Sequence, residues 1–441
     1  MLKLRPARVL ETRRAHDGLE SDVHVRSAVE VEQRLIVELT DGEAKGARRE
    51  AIADTALVGH AEVGDELIVN TQALDLGLDS GGFDVVHVNL TRGLEAHPGP
   101  ADSDPADSDP AHPAGPGDPH VMKLNYTSLQ HAVAPVERGT LELPIGRPTA
   151  VLALHGQLAA LAWAFQQTAP GAKLGYVQTE GGALPGGHSR TVRTLRERGL
   201  LAGHLTAGAC FGGEGEAITT AGAVHHGLRV LGWDAAVCGP GPGIVGSGST
   251  LGHGGMSALD SAHVALALGC PTLLVARMSS GDQRSRHRGI SHHTLTVLDL
   301  LLEPVTVALP AGVRSPVGSD LRAGLQSVFG GAMPSRPAGD RAALAVEVER
   351  PARIARHDWR RAKIDLPAFA GSGLPAQTMG RGLVADPLFF GAALAAGGVL
   401  AELVAECADD VTSGHAQEAP DEHVADAPGE HVAEPSGEQV G

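Results

Sequence analysis

The residues best suited to chemistry are crowded into one segment. MSSGDQRSRHRGISHHT, residues 278 to 294, follows an apolar run ending at Arg277 and holds Asp282, Arg284, Arg286, His287, Arg288, His292 and His293. Guanidinium forks match the oxygen geometry of carboxylates and phosphates, and imidazoles are the side chains that exchange protons near neutral pH. Ser291 precedes the apolar run LTVLDLLL and is placed to cap a helix, whose first N–H groups and positive dipole end would face whatever the arginines hold. The segment predicts an anion site in which Arg277, Asp282, Arg284, Arg286 and Arg288 contact the ligand. If a reaction occurs there, His287, His292 or His293 would move protons. Structural arginine–carboxylate pairs are the competing explanation.

A second segment, GPGPGIVGSGSTLGHGG at residues 239 to 255, has eight Gly in seventeen positions. Gly241, Gly243 and Gly246 satisfy GxGxxG after a predicted strand, where a Cβ would keep backbone N–H groups from a phosphate; Ser247 and Ser249 join them as ligand-binding candidates. A dinucleotide is disfavoured, because the helix starts only near Gly255 and the next strand ends in Arg277 instead of a ribose-binding acid. Anion or nucleotide binding and a purely conformational loop remain. Glycine-flanked carboxylates follow two other strands: Glu180, beside His188 and a candidate base, and Glu214 with Glu216. Histidines are abundant, yet no HExxH, HxH or Cys/His ladder is present, and His292 and His293 as helical neighbours would point about 100° apart. No protein metal site is expected, and no cofactor is indicated. The absence of GxSxG and GxxxxGK[ST] removes the best-marked hydrolase and NTPase readings.

These segments need a scaffold that gathers strand ends. Apolar strands at Ala150–Gly156, Lys173–Thr179, Asp234–Gly239, Pro271–Arg277 and Pro304–Leu309 alternate with helical stretches. That is the pattern of a mostly parallel α/β sheet with helices on both faces, whose ligands bind at the carboxyl ends of the strands. Residues 1–94 read instead as a small all-β, barrel-like domain, from short β-branched runs such as Arg34–Leu39, Glu66–Asn70 and Asp84–Leu90 between turn signals. Residues 95–119 form an acidic Pro-rich linker containing ADSDPADSDP, residues 120–405 the α/β domain, and residues 406–441 an acidic tail whose EHVADAPG and EHVAEPSG repeat. Both biased segments have the composition of disordered chain.

The net charge of −17 belongs to those two segments, which carry six and ten acidic groups and no Lys or Arg. The rest holds 36 acidic and 35 basic groups. A near-neutral body with only 12 aromatic residues argues against a duplex-binding stripe and against a stacking platform for single strands. The N-terminal residues lack the apolar stretch of a signal peptide, and the uncharged run at 387–401 falls short of a membrane span and reads as a buried helix. Cys210, Cys238, Cys270 and Cys407 show no CxxC spacing and read as free thiols of a cytoplasmic protein.

GPGPGIVGSGS, SGDQRSRHRGISHHT and FGGEGEAIT, with TMGRGLVADPLFFGAALAAG and GGFDVVHVNLTRG, resemble the uncharacterised family of Gram-positive bacteria known as domain of unknown function 3866. The resemblance implies an intracellular bacterial protein and supplies no activity. Where this chain has Glu214 and Ser249, the family pattern has Asp and Thr, so this is a variant form. The sequence thus predicts a cytoplasmic protein that binds a small anionic ligand, perhaps phosphorylated, between residues 239–255 and 277–294, with enzyme activity open. The alternative is a non-catalytic sensor whose β domain recruits a partner. Neither nucleic acid nor membrane is an expected partner, and a homo-oligomer stays open.

Overall fold

The computed structural model describes residues 2–13, 31–77, 82–93, 120–311 and 351–414. The linker 95–119 and the tail from residue 415 lie outside the described residues. Strands β1 (Leu4–Arg13), β2 (Glu32–Leu39), β3 (Arg48–Asp54), β4 (Glu66–Asn70) and β5 (Asp84–Asn89) form a closed barrel in the order β1-β2-β3-β5-β4. All its pairings are antiparallel except β3 with β5, a Greek-key order of the OB type that by itself assigns no ligand. Alternate residues point inward: Ala7 and Val9, Leu35, Val37 and Leu39, and Leu67 and Val69 fill the barrel. Short helices α1 (Thr55–Val58) and α2 (Gln72–Asp75) follow β3 and β4. A hairpin of β6 (Val121–Lys123) and β7 (His131–Val133) leads into the large domain.

That domain is built on eight parallel strands: β8 (Thr149–Leu152), β9 (Leu174–Thr179), β10 (Gly203–Ala207), β11 (Gly215–Ala217), β12 (Ala235–Pro240), β13 (Thr272–Val275), β16 (Thr306–Pro310) and β17 (Asp358–Ala362). Their spatial order is β11-β10-β9-β12-β8-β13-β16-β17. The sheet is therefore wholly parallel, a stricter outcome than the mostly parallel one expected. Two minute antiparallel ribbons decorate it, β14 (Met278–Ser279) with β15 (Gly289–Ile290), and β18 (Gln377–Thr378) with β19 (Arg381–Gly382).

Helices cover both faces because successive strand residues point to opposite sides. Val151 of β8 and Ala153 just beyond it join α5 (Thr220–His225), α6 (Ser257–Ala267) and α7 (His292–Leu300) in one core. Ala150 and Leu152 join α3 (Leu158–Thr168), α4 (Arg190–Glu197) and the C-terminal helix Pro387–Gly414 in the other. That helix contains the run expected to be buried. Its Pro387–Asp409 stretch is long and apolar enough to cross a membrane, but 78% of the most apolar window is inside the fold, which makes it a core helix. A Cβ at Gly397 would lie 2.2 Å from the Leu161 carbonyl oxygen, so the glycine sets how closely the helix meets α3. The helix runs to Gly414, past residue 406 where composition placed the start of the tail.

Chain direction reverses around β8. The chain steps from β8 to β9, β10 and β11, returns to β12 beside β8, then crosses to β13 on β8's other edge. Such a switch point opens a crevice at the carboxyl ends. The segments after β12 and β13 therefore leave the sheet about 10 Å apart, with one strand between them, and not from neighbouring strands as the sequence suggested.

Candidate functional site

Arg277 leaves β13 and is only 3% exposed. Its backbone N–H donates to Thr294 Oγ1 at 3.0 Å and its carbonyl accepts from Ser291 N at 2.8 Å, which ties the strand end to the start of α7. Ser291 caps that helix, its side chain accepting from His293 N. The loop between closes on Asp282, a buried carboxylate gripped by both Nε and Nη2 of Arg284 at 3.0 and 2.9 Å and by Arg381 Nη2 at 3.2 Å, with Arg277 Nη2 at 3.9 Å. Arg288 Nε donates to the Asp282 carbonyl at 2.7 Å. These guanidinium groups hold the Asp282 carboxyl well below the usual range, against the desolvation that would raise it.

Two of these residues come from far along the chain. Arg381 also donates to Asp386 at 3.1 Å, and Asp386, fully buried ahead of the C-terminal helix, accepts from Ser279 Oγ at 2.6 Å and from the backbone of Ser280 and Gly281. Sequence reasoning did not single out either one; the only signal was TMGRGLVADP, noted for its family resemblance. Structural pairing thus occupies Arg284 and Arg381, and Arg288 in part. Arg286 is exposed and pairs with no carboxylate among the described residues. The Arg277 Nη1 is buried without a hydrogen-bond partner among the described residues. Burial, followed by repulsion from Arg284, lowers the Arg277 pKa to about 10, so it stays charged at pH 7.

The imidazoles gather against this network. Ring centroids lie 3.9 Å apart for His292–His293, 5.1 Å for His287–His292 and 5.5 Å for His287–His293. Neighbours 100° apart on a helix still have Cα atoms only 3.8 Å apart, so rotamers leaning together let His292 and His293 meet, contrary to the divergence expected from their spacing. All three are almost fully buried. His287 Nδ1 bonds Ser291 Oγ at 2.8 Å. Neither nitrogen of His293 has a partner of ordinary hydrogen-bond geometry, although the Ser249 backbone lies close enough to act on its proton. Burial first, then the surrounding positive groups, depress the three values to about 2 for His287, 4 for His292 and 3 for His293. The rings are neutral at pH 7. In that state they are weak general bases, and a bound anion would raise their affinity for protons.

The glycine segment reaches the same place. It rises as a hairpin, Gly246 bridging His253 and Ser247 N donating to Gly252 O at 2.6 Å, with the Ser247 and Ser249 hydroxyls 2.9 Å apart at its exposed tip. Its base is wedged against the β9 segment, since a Cβ on Gly254 would stand 1.8 Å from the Gly181 carbonyl oxygen. Gly241 is buried, whereas Gly243 and Gly246 are exposed; Gly243 needs its glycine because φ is +67°. The helix α6 begins at Ser257 after a short 3-10 turn, as late as the sequence implied. His253, at the foot of the hairpin, stacks on His293 at 4.1 Å, which brings the two predicted segments into contact. Its Nδ1 accepts from Gly255 N at 3.0 Å, which leaves the proton on Nε2.

The acidic candidates lie elsewhere. Glu180 Oε1 accepts from Ala209 N at 3.3 Å, so its carboxylate leans toward β10, on the side of β9 away from β13, and does not meet the imidazoles. Glu216 pairs with buried Lys123 at 2.7 Å and with Gly212 N, and Glu214 pairs with Arg196; both are structural. His188 stands 3.4 Å from Asp54 of the barrel. Sequence reasoning also gave no weight to the contact of His155 Nε2 with Ser189 Oγ at 2.7 Å. Ser189 is buried and caps α4 through Val192 N, so this serine has a helix to hold and no open face.

Among curated proteins no match to the chain is found. A family model described as protein of unknown function, DUF3866, matches residues 50–397. The match takes in the β12 and β13 segments, Arg381 and Asp386, and covers more than half of the chain, which therefore belongs to the family of proteins of unknown function DUF3866.

Proposed function

We propose that this is a cytoplasmic protein that binds a small anionic ligand, phosphate- or carboxylate-bearing, between the β12 hairpin and the β13 segment. The observation that carries the reading is the buried Arg277 Nη1, a charged donor without a hydrogen-bond partner among the described residues. Buried donors in native structures are nearly always satisfied, and an anion is the partner that a guanidinium accepts best. The surroundings agree in sign, with five guanidinium groups (Arg277, Arg284, Arg286, Arg288 and Arg381) set against the two carboxylates Asp282 and Asp386. Arg286 at the exposed side supplies a second fork, and His253 supplies an Nε2 donor. No disulfide joins the four cysteines among the described residues, which fits a reducing compartment.

The test is thermal unfolding of the purified chain against orthophosphate, pyrophosphate, sugar phosphates, nucleotides and di- and tricarboxylates. A ligand at 100 times its dissociation constant adds about 2.7 kcal/mol of stability. Stabilisation by one anion class supports the reading. A chain indifferent to every anion, with nothing anionic carried through purification, contradicts it.

A further inference from the structure

We propose that His287, His292 and His293 form a binding site for one divalent transition-metal ion of borderline softness, Zn2+, Co2+ or Ni2+. One ligand nitrogen from each of the three rings can be chosen so that all lie within 4.8 Å of one another. Two nitrogens sharing a tetrahedral ion at 2.0–2.1 Å stand about 3.4 Å apart, so closure requires the three nitrogens to move inward by about an ångström. The site is positioned by its neighbours. The Ser291 hydroxyl accepts from the backbone N–H of His293 and meets His287 Nδ1 at 2.8 Å. With the proton on Nδ1 and the hydroxyl oxygen accepting it, the lone pair of His287 stands on Nε2. An oriented imidazole whose other N–H is fixed by a second group is the usual arrangement around a protein-bound metal.

The independent observation is His293. It is 2% exposed, and neither of its buried nitrogens has a partner of ordinary hydrogen-bond geometry among the described residues, the Ser249 backbone alone lying near enough to act on its proton. An ordinary core histidine would bury at least one of them against a carbonyl or hydroxyl, as His155 and His357 do here. A metal ion would satisfy one of the two. The set also predicts which ion is bound. Three neutral nitrogen ligands with no carboxylate among them suit Zn2+, Co2+ or Ni2+ and give Mg2+ or Ca2+, which require oxygen, nothing to hold. Three protein ligands leave a tetrahedral ion one open position, the arrangement of sites that bind a further ligand.

The proposal does not depend on the anion reading, because the probe is the metal alone. The full chain, stripped with a chelator, is titrated with Co2+ and followed by d–d absorption, and Zn2+ is then used in competition. The expected result is one tightly held ion per chain with the intense visible bands of tetrahedral coordination, displaced by Zn2+ and untouched by Mg2+. His293→Asn and His287→Gln should each weaken binding by on the order of 100-fold or more, since even loss of a supporting hydrogen bond costs 10–100-fold. Replacing His415, His423 and His431 of the C-terminal tail together with Ala should leave it unchanged. Far-UV circular dichroism establishes that each variant is folded; if His293→Asn is not, His287→Gln and the wild-type spectrum decide. The proposal is overturned if no saturable binding occurs, if the bands are weak and octahedral, or if binding survives in a folded His287→Gln chain or disappears with the tail substitutions.

Discussion

At the scale of residues, the site divides into arginines that hold the loop and arginines left for a ligand. Asp282 is the hinge of that division. Replacing it with Asn leaves Arg277, Arg284 and Arg381 facing one another around a neutral amide, and breaking such a buried pairing costs about 3–5 kcal/mol; urea unfolding of Asp282→Asn should show a loss of that order. Arg286 is the contrast. Exposed and outside any ion pair among the described residues, it should be replaceable by Ala with a stability change within about 0.5 kcal/mol and a tenfold or greater loss of anion affinity, read by calorimetry. The arginines and histidines were legible in the sequence because they are contiguous. Their pairing was not, because Arg381 and Asp386 arrive from about a hundred residues away, and a contiguous segment cannot show which of its charges a distant one neutralises.

At the scale of elements, strand ends fix what the side chains can do. His155, just after β8, is enclosed by Ser189, Tyr176 and the Pro240 carbonyl, and burial pushes its pKa down to about 4. Its ordinary value is 6.5. Between the two, the unfolded chain binds a proton that the folded chain refuses. Stability is therefore fully present above about pH 6.5, falls as the pH drops toward about 4 and levels off for this group below that, a loss of roughly 3 kcal/mol. His155→Gln should flatten this part of the pH–stability profile measured by denaturant unfolding. The hairpin after β12 depends on its glycine foot. Gly254→Ala forces a Cβ onto the Gly181 carbonyl, and such overpacking costs about 1–3 kcal/mol. If the hairpin is one wall of the site, the variant should also lose anion-induced stabilisation. Strands β8, β9, β12, β13 and β16 were readable as apolar runs, because strands buried on both faces have no polar alternation. β1 and β17 were not, because LRPARVLETR and DWRRA turn charged residues outward and hide their few inward ones.

At the scale of the whole molecule, a chain of net charge −17 holds its candidate site among groups of opposite sign. The tail is joined to the chain at a distance from the site. The C-terminal helix begins beside Asp386 and has 28 residues, about 40 Å of helix, before the tail that carries seven of the acidic groups is attached. A Debye length is about 8 Å at physiological ionic strength. Deleting residues 415–441 should therefore leave anion affinity within about twofold at 0.15 M salt, measured by the same calorimetry. Composition identified the acidic flanks and the near-neutral body, but it could not show that β8 separates the two site segments, since strand order depends on which strand edges meet.

The central claim is that an anion sits against Arg277 between the β12 hairpin and the β13 segment. Crystals of the protein soaked in selenate test it directly through the anomalous signal of selenium. The expected result is a peak within hydrogen-bond distance of the Arg277 guanidinium, with Arg286 or His253 as a further partner. A map with selenate elsewhere on the surface and none at Arg277 would contradict it.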